Sequence, residues 1–303
     1  MLPHYEMPGV TNPVALQEGI DSFVRSTLGE PAEEVENISR IALKNQVYRV
    51  STQQGQFVVK LYQGRYPDRR MAREIEGFAV TKGQEFVKGE LRADFSRAHV
   101  PFPILVRPYL QGSSLKDNLR SRSTDDGILD SFYQALLAMT SLHTPHFHPF
   151  SPPTSCQGIF YDIFQTDNDT IGHVLGSFPC IPAYFDKRTM LRDDHPTFCN
   201  GDLGSNDIIF TTEGIEIIDW ENCCVGDPSR DCGYLTYSAA GVHFGNTGLV
   251  EKIIELSQSF QYPNLNFYIA ERAIGSAVVE YVPEGNSAKL GFAMDLAHRM
   301  LNN

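Results

Sequence analysis

Two short apolar runs, Ile208-Ile209-Phe210 and 215–218, are separated by Thr211-Thr212-Glu213-Gly214 and bracketed by aspartates, with Asp202 and Asp207 before the first run and Asp219 directly after the second. Runs this short, joined by a turn that ends in glycine, form a β-hairpin. A strand pair gathers the aspartates at its ends into one cleft. Three converging carboxylates repel one another unless a divalent cation lies among them. The pattern therefore predicts magnesium and phosphate chemistry.

The segments before the hairpin are of a different texture. Leu16, Ile20, Phe23, Val24 and Leu28 follow helical spacing over 13–28, with Pro13 at the start and Gly29 at the end. From 35 to 62 the chain reads as an antiparallel meander, with strands at 35–41, 46–51 and 56–62 and a turn at Gln53-Gln54-Gly55. A charged helix is expected over 69–82, and further strands over 88–93 and 103–110. After Gly112 the pattern turns helical. Leu129, Phe132, Tyr133, Leu136, Leu137, Met139 and Leu142 predict a buried core helix that stops before Pro145. Pro149, Pro152, Pro153 and Gly158 mark a loop, and helices are expected over 249–260, 267–280 and 290–301. The layout predicts an α+β protein with an N-terminal helical segment (1–36), a small β-rich lobe with connector (37–112) and a larger, mostly helical lobe (113–303) holding the hairpin.

Composition bounds the partners. The 303 residues are 42% hydrophobic, enough for a sizeable core, and carry a net charge of −12. That charge argues against general nucleic-acid binding and against anionic membranes. It is also uneven: residues 37–112 carry +7, 113–303 carry −13 and 1–36 carry −6. An anionic cosubstrate and a cationic substrate fit that division. No basic stretch followed by an apolar run occurs at 1–12, and no segment reaches about 18 uninterrupted apolar residues, so no membrane span and a cytoplasmic location are expected. Six cysteines without a C-x-x-C pair are read as reduced thiols. His143, His146 and His148 crowd one stretch, but a structural zinc needs four well-placed ligands, so no metal site is assigned there.

The ordered set Gly201-Asp202-Leu203, Asp207-Ile208-Ile209-Phe210, Ile217-Ile218-Asp219-Trp220-Glu221 and Gly226-Asp227-Pro228 with Asp231 resembles the core of the aminoglycoside phosphotransferase and choline kinase family, small-molecule relatives of the protein kinases. Phe57-Val58-Val59-Lys60-Leu61-Tyr62 is similar to the family's lysine strand, Arg73-Glu74 to its partner helix, and 106–112 to its interlobe connector. The resemblance runs from about residue 37 to about residue 240. It implies a bilobal, protein-kinase-like fold and ATP-dependent phosphoryl transfer to a hydroxyl of a small, cationic acceptor such as an aminoglycoside or amino-alcohol.

Position by position, the resemblance makes Asp202 the catalytic aspartate that accepts or orients the acceptor hydroxyl. It makes Asp219 the ligand of Mg²⁺, and Lys60 the partner of the α/β phosphates and of Glu74. The backbone around Arg107 and Tyr109 would bind adenine. Pro108 has no N–H, which leaves Tyr109 as a donor. Three positions depart from the family. Asn200 replaces a structural histidine, removing support for the loop. Asp207 stands where the family has a metal-binding asparagine, which Asn206 could supply after a one-residue slip. The phosphate-covering stretch 38–45 lacks glycine, so side chains of Ser39, Arg40 or Lys44 would take over phosphate contacts. These departures keep open an alternative: a nucleotide-binding pseudokinase or scaffold. Trp220 and Glu221 are expected to be structural, and Asp227 and Asp231 to be loop or helix-capping carboxylates.

Overall fold

The computed structural model describes residues 13–39, 45–64, 66–82, 89–143, 178, 180–191, 196–281 and 284–302. The chain divides into two units, one of Pro3–Gln111 together with Asp219–Asn222, the other of Gly112–Ile218 with Cys223–Asn303. The expected strand at 35–41 and the strand at 88–93 run partly outside the described residues, as do Lys44, Arg40, His146, His148, Pro145 and the loop prolines.

In the smaller unit, helix α1 (Pro13–Leu28) precedes strands β1 (Glu34–Asn37), β2 (Asn45–Thr52) and β3 (Gly55–Tyr62). Helix α2 (Pro67–Thr81), β4 (Arg92–Asp94) and β5 (Ile104–Pro108) follow. The sheet order is β1-β2-β3-β5-β4, antiparallel throughout. Strand alternation assigns the two faces. Val59 and Leu61 of β3 join Ile20, Phe23 and Val24 of α1 in one buried cluster. Tyr62, on the opposite face, packs with Met71 of α2 and Leu105 of β5. Lys60 shares that second face with Tyr62, and its register is fixed by pairing with Val47 and Leu105.

The larger unit begins with β6 (Gly112–Ser114), α3 (Leu115–Ser121) and α4 (Asp125–Leu142). Ser114 and Thr124 cap the two helices by accepting the N–H of Asp117 and Gly127. Helix α5 (Cys180–Met190), β7 (Thr197–Cys199), β8 (Ile208–Thr211), β9 (Gly214–Ile217) and β10 (Cys224–Gly226) come next. The hairpin expected from the sequence is β8-β9, extended to three strands by β6, while β7 pairs with β10. Helices α6 (Ser229–Val242), α7 (Thr247–Gln258) and α8 (Leu265–Ser276) follow, then a π-helical turn (Ala277–Tyr281) and α9 (Ser287–Asn302). Among the described residues no helix is long and apolar enough to cross a membrane.

Two expectations change. Tyr133 and Leu137 of α4 are each 40% exposed, while Ile128, Phe132, Ala135, Leu136, Met139 and Leu142 are buried. Successive helical residues lie 100° apart, so Phe132 and Tyr133, like Leu136 and Leu137, cannot both point to one core. Cys180, Cys199, Cys223 and Cys232 are free, but Cys224 is disulfide-bonded. Sequence spacing is silent on this, because a disulfide depends on Cα atoms about 4.4–6.8 Å apart in space.

Candidate functional site

Within the smaller unit, the Lys60 ammonium lies 2.6 Å from Glu74 Oε2, 2.7 Å from Asp219 Oδ1 and 3.0 Å from Glu221 Oε2. The partners arrive from two places: Glu74 on α2, Asp219 and Glu221 on the segment that follows β9. Tyr62 donates to Glu74 at 2.5 Å, Arg70 to Glu221 at 2.5 Å, and Asn45 Nδ2 to Glu221 at 2.5 Å. Glu221 thus ties β2, β3 and α2 together, a structural role as expected. Trp220 is itself buried.

The electrostatics follow from this crowding. Burial lowers the Lys60 pKa, but Asp219, Glu74 and Glu221 outweigh it and hold the ammonium well above the ordinary lysine value. Burial also raises Glu221, yet Lys60 and Arg70 bring it down to about 2. Asp219 goes the other way: burial raises it, Lys60 opposes, and Glu221 and Glu74 add to the rise, leaving it at about 6. Oxygens of Glu74, Asp219 and Glu221 all lie within 4.8 Å of one another. Lys60 and Arg70 together balance the buried pair Glu74 and Glu221, and Asp219 keeps 42% of its side chain open to solvent. A hard cation that prefers oxygen donors fits Asp219, the most exposed of the three carboxylates. The backbone of Asp219 is left-handed (φ 64°), a conformation aspartate tolerates better than most residues.

In the larger unit, the loop after β7 is held from several sides. Asp231, buried in the first turn of α6, accepts the N–H of Asn200 at 2.7 Å and of Gly201 at 2.8 Å. Asn200 accepts the N–H of Asp202 at 3.2 Å and donates to Ile218 O at 3.4 Å. The loop therefore does not lack support where the histidine is replaced, because the amide side chain braces it. Ser205 N–H donates to Ser238 Oγ, and Lys116 N–H to Ser205 O, each at 2.9 Å. Asp207 Oδ2 accepts the N–H of Gly204 at 2.8 Å, and Asp207 O accepts that of Ile218 at 2.8 Å. Asp202 meets Arg272 of α8, whose Nη1 is 2.6 Å from Oδ1.

Other expected residues take different places. Asp227 accepts the N–H of Ser229 at 2.8 Å, closing the turn that leads into α6, and also accepts from Asn264 Nδ2 at 2.6 Å. Of the loop and capping roles expected for Asp231, the structure shows the loop role, because its buried position at the first turn of α6 faces two backbone donors. His143 bonds Tyr262 at 2.9 Å and Asp231 at 3.4 Å, and Cys199 lies close by. Burial pushes the Cys199 thiol well up, so it stays protonated and is a poor metal ligand.

Tyr109 donates its N–H to Gln56 O at 2.9 Å, continuing the β3-β5 ladder past Pro108. That amide, expected to face adenine, is engaged within the sheet of the smaller unit. Arg107 pairs with Val58 inside the same ladder. Ser39 accepts the N–H of Val47 at 2.8 Å and donates to Val47 O at 3.4 Å, so its hydroxyl closes the entry to β2 rather than reaching outward. Lys44 lies outside the described residues.

A family model for the phosphotransferase enzyme family matches residues 38–268. Among curated proteins no sequence matches. Solved structures are similar in fold. A thermostable mutant of aminoglycoside phosphotransferase APH(4)-Ia, in a ternary complex with AMP-PNP and hygromycin B, is 12% identical with a TM-score of 0.62, covering 94% of this chain and 98% of its own. The choline kinase LicA from Streptococcus pneumoniae is 17% identical with a TM-score of 0.59, over 93% and 97%. A putative aminoglycoside phosphotransferase from Ralstonia eutropha JMP134 is 14% identical with a TM-score of 0.58, over 94% and 95%.

Proposed function

The chain belongs to the phosphotransferase enzyme family, and on that footing we propose that it transfers the γ-phosphoryl group of ATP, with Mg²⁺, to a hydroxyl of a small molecule. The observation that carries this reading is the Lys60 assembly, a strand lysine 2.6 Å from Glu74 and 2.7 Å from Asp219. Lys60 pairs with the α/β phosphates as a point charge whose position is set by a rigid strand. Asp219 holds the metal, with Asp207 or Asn206 as the second ligand. When bound, Mg²⁺ supplies positive charge against the phosphate oxygens. Asp202 accepts the acceptor's hydroxyl proton, or orients that hydroxyl, from a loop whose backbone is fixed by Asp231 and Asn200.

Nucleotide and small-molecule binding draw support from the related structure that holds AMP-PNP and hygromycin B. The acidity of residues 113–303 supports an acceptor with some positive charge, and a cytoplasmic setting suits an ATP-using enzyme. The test is ADP release from Mg·ATP across a panel of hydroxyl compounds. D202N is expected to lose turnover by about 10³-fold while still binding Mg·ATP. Full turnover by that variant would overturn the assignment. The scaffold alternative requires ATP binding without ADP release from the unaltered protein.

A further inference from the structure

Arg272 stands beside Asp202 although no motif pointed to it, and its position bears on the acceptor. Nη1 is 2.6 Å from Asp202 Oδ1, with 21% of the arginine side chain and 18% of the aspartate side chain exposed. The guanidinium is well anchored. It stacks over the Tyr234 ring at 5.3 Å, and the Tyr234 hydroxyl donates to Glu271 at 2.9 Å. Glu271, the preceding residue of α8, is buried and also accepts from Tyr184 at 2.9 Å and from Arg188. The helical turn that carries Arg272 is therefore fixed by its neighbour and by the ring beneath it.

A hydroxyl that gives its proton to Asp202 lies within hydrogen-bond reach of the same carboxylate. Groups a few bonds from that hydroxyl come within reach of Arg272. An ammonium there meets a like charge, and the charge of Asp202 is already matched by the guanidinium. A carboxylate or phosphate there meets a planar fork of donors, the side chain suited to binding such groups through two hydrogen bonds. We propose that Arg272 selects an acceptor whose reactive hydroxyl lies within about three bonds of a carboxylate or phosphate. The inference rests on the phosphotransferase reading and narrows its substrate class. The diffuse acidity of residues 113–303 acts at long range and is screened over roughly 10 Å. Arg272 acts at contact, so any positive charge on the acceptor belongs away from the hydroxyl.

The test offers full-length protein and Mg·ATP a panel of acceptors: glycerate and glycerol 3-phosphate as the two acid classes, glycerol as the neutral counterpart, ethanolamine and kanamycin as the cationic ones. At least one acid is expected to exceed glycerol in kcat/KM by about 100-fold, and R272Q to cut that advantage below about tenfold, chiefly through acceptor KM, with R272K keeping part of it. Calorimetric titration of both acids, with an unreactive ATP analogue present, reads the same selection without turnover. Melting curves check that the variants fold, and if R272Q does not, the panel and titrations on the unaltered protein decide. The proposal falls if the amines outperform both acids, if a folded R272Q keeps the acid preference, or if neither acid binds. ADP release with amines alone sinks this inference and leaves the kinase reading standing. Acid binding with no ADP release from any compound sinks the kinase reading instead.

Discussion

Asp231 Oδ1 accepts the backbone N–H of Gly201 at 2.8 Å, immediately before the aspartate assigned the proton. The other oxygen takes the N–H of Asn200, so one buried carboxylate sets two successive peptide planes. In D231N one of those donors would face an amide N–H₂ and lose its acceptor. The variant is expected to lose about 2–3 kcal/mol of stability, and turnover should fall by more than about tenfold even where it is fully folded. Urea melts paired with ADP release measure both.

E221Q removes the charge that Lys60 and Arg70 share. Glu221 is held at about 2, below its ordinary 4.5, so its contribution is fully present above pH 4.5 and is lost as the pH falls through about 2. The expected cost at pH 7 is about 3 kcal/mol, since breaking a buried pair leaves charge uncompensated. Denaturant melts of both proteins should converge as the pH drops from 4.5 toward 2. A gap that stays constant with pH would show that the glutamate acts through packing alone.

Asp219 has the opposite sign. Its folded value of about 6 lies above the ordinary 3.8, so ionising it works against the fold, increasingly as the pH rises from 3.8 through about 6. With 42% of the side chain in solvent the effect is modest. D219N is expected to melt roughly 1–3 °C higher than the unaltered protein at pH 7.5 without divalent cation, and to match it near pH 4. Millimolar Mg²⁺ should raise the melting temperature of the unaltered protein and not that of D219N.

Helices α6 and α8 approach closely at Gly233, where an added Cβ would lie 2.6 Å from Tyr268 Cβ and 2.9 Å from Ile269 N. G233A is expected to cost about 1–3 kcal/mol through overpacking. Gly241, two turns later on α6, has nothing within 4 Å of such an atom. G241A should instead gain roughly 0.5–1 kcal/mol from helix propensity. Thermal melts of the two variants separate the interface effect from the residue type.

Local order was readable from the residues themselves. A short apolar run over 56–62 after the turn at Gly55 marks β3, and the Thr-Thr-Glu-Gly turn marks the β8-β9 hairpin, because both depend on neighbours a few positions apart. What escaped depends on distant partners. Arg272 meets Asp202 across 70 residues, and Asn45 meets Glu221 across 176. No spacing rule reaches that far. Tyr109 shows a subtler loss: whether its N–H is spent depends on how far the ladder to β3 continues beyond Pro108, which is a matter of register and not of composition. Asn200 likewise reads as a missing histidine until its side-chain bonds to Asp202 N and Ile218 O are seen.

The four residues Asp219–Asn222 belong to the smaller unit although the chain on either side of them belongs to the larger. A gene cut after Gln111 would therefore encode the five-stranded sheet with α1 and α2 but none of the acids that Lys60 and Arg70 meet at Asp219 and Glu221. Such a fragment would carry two basic groups at its sheet face with Glu74 as the remaining carboxylate of the assembly. The smaller unit is thus a discontinuous module, and swapping it between relatives would require transplanting both pieces of sequence together.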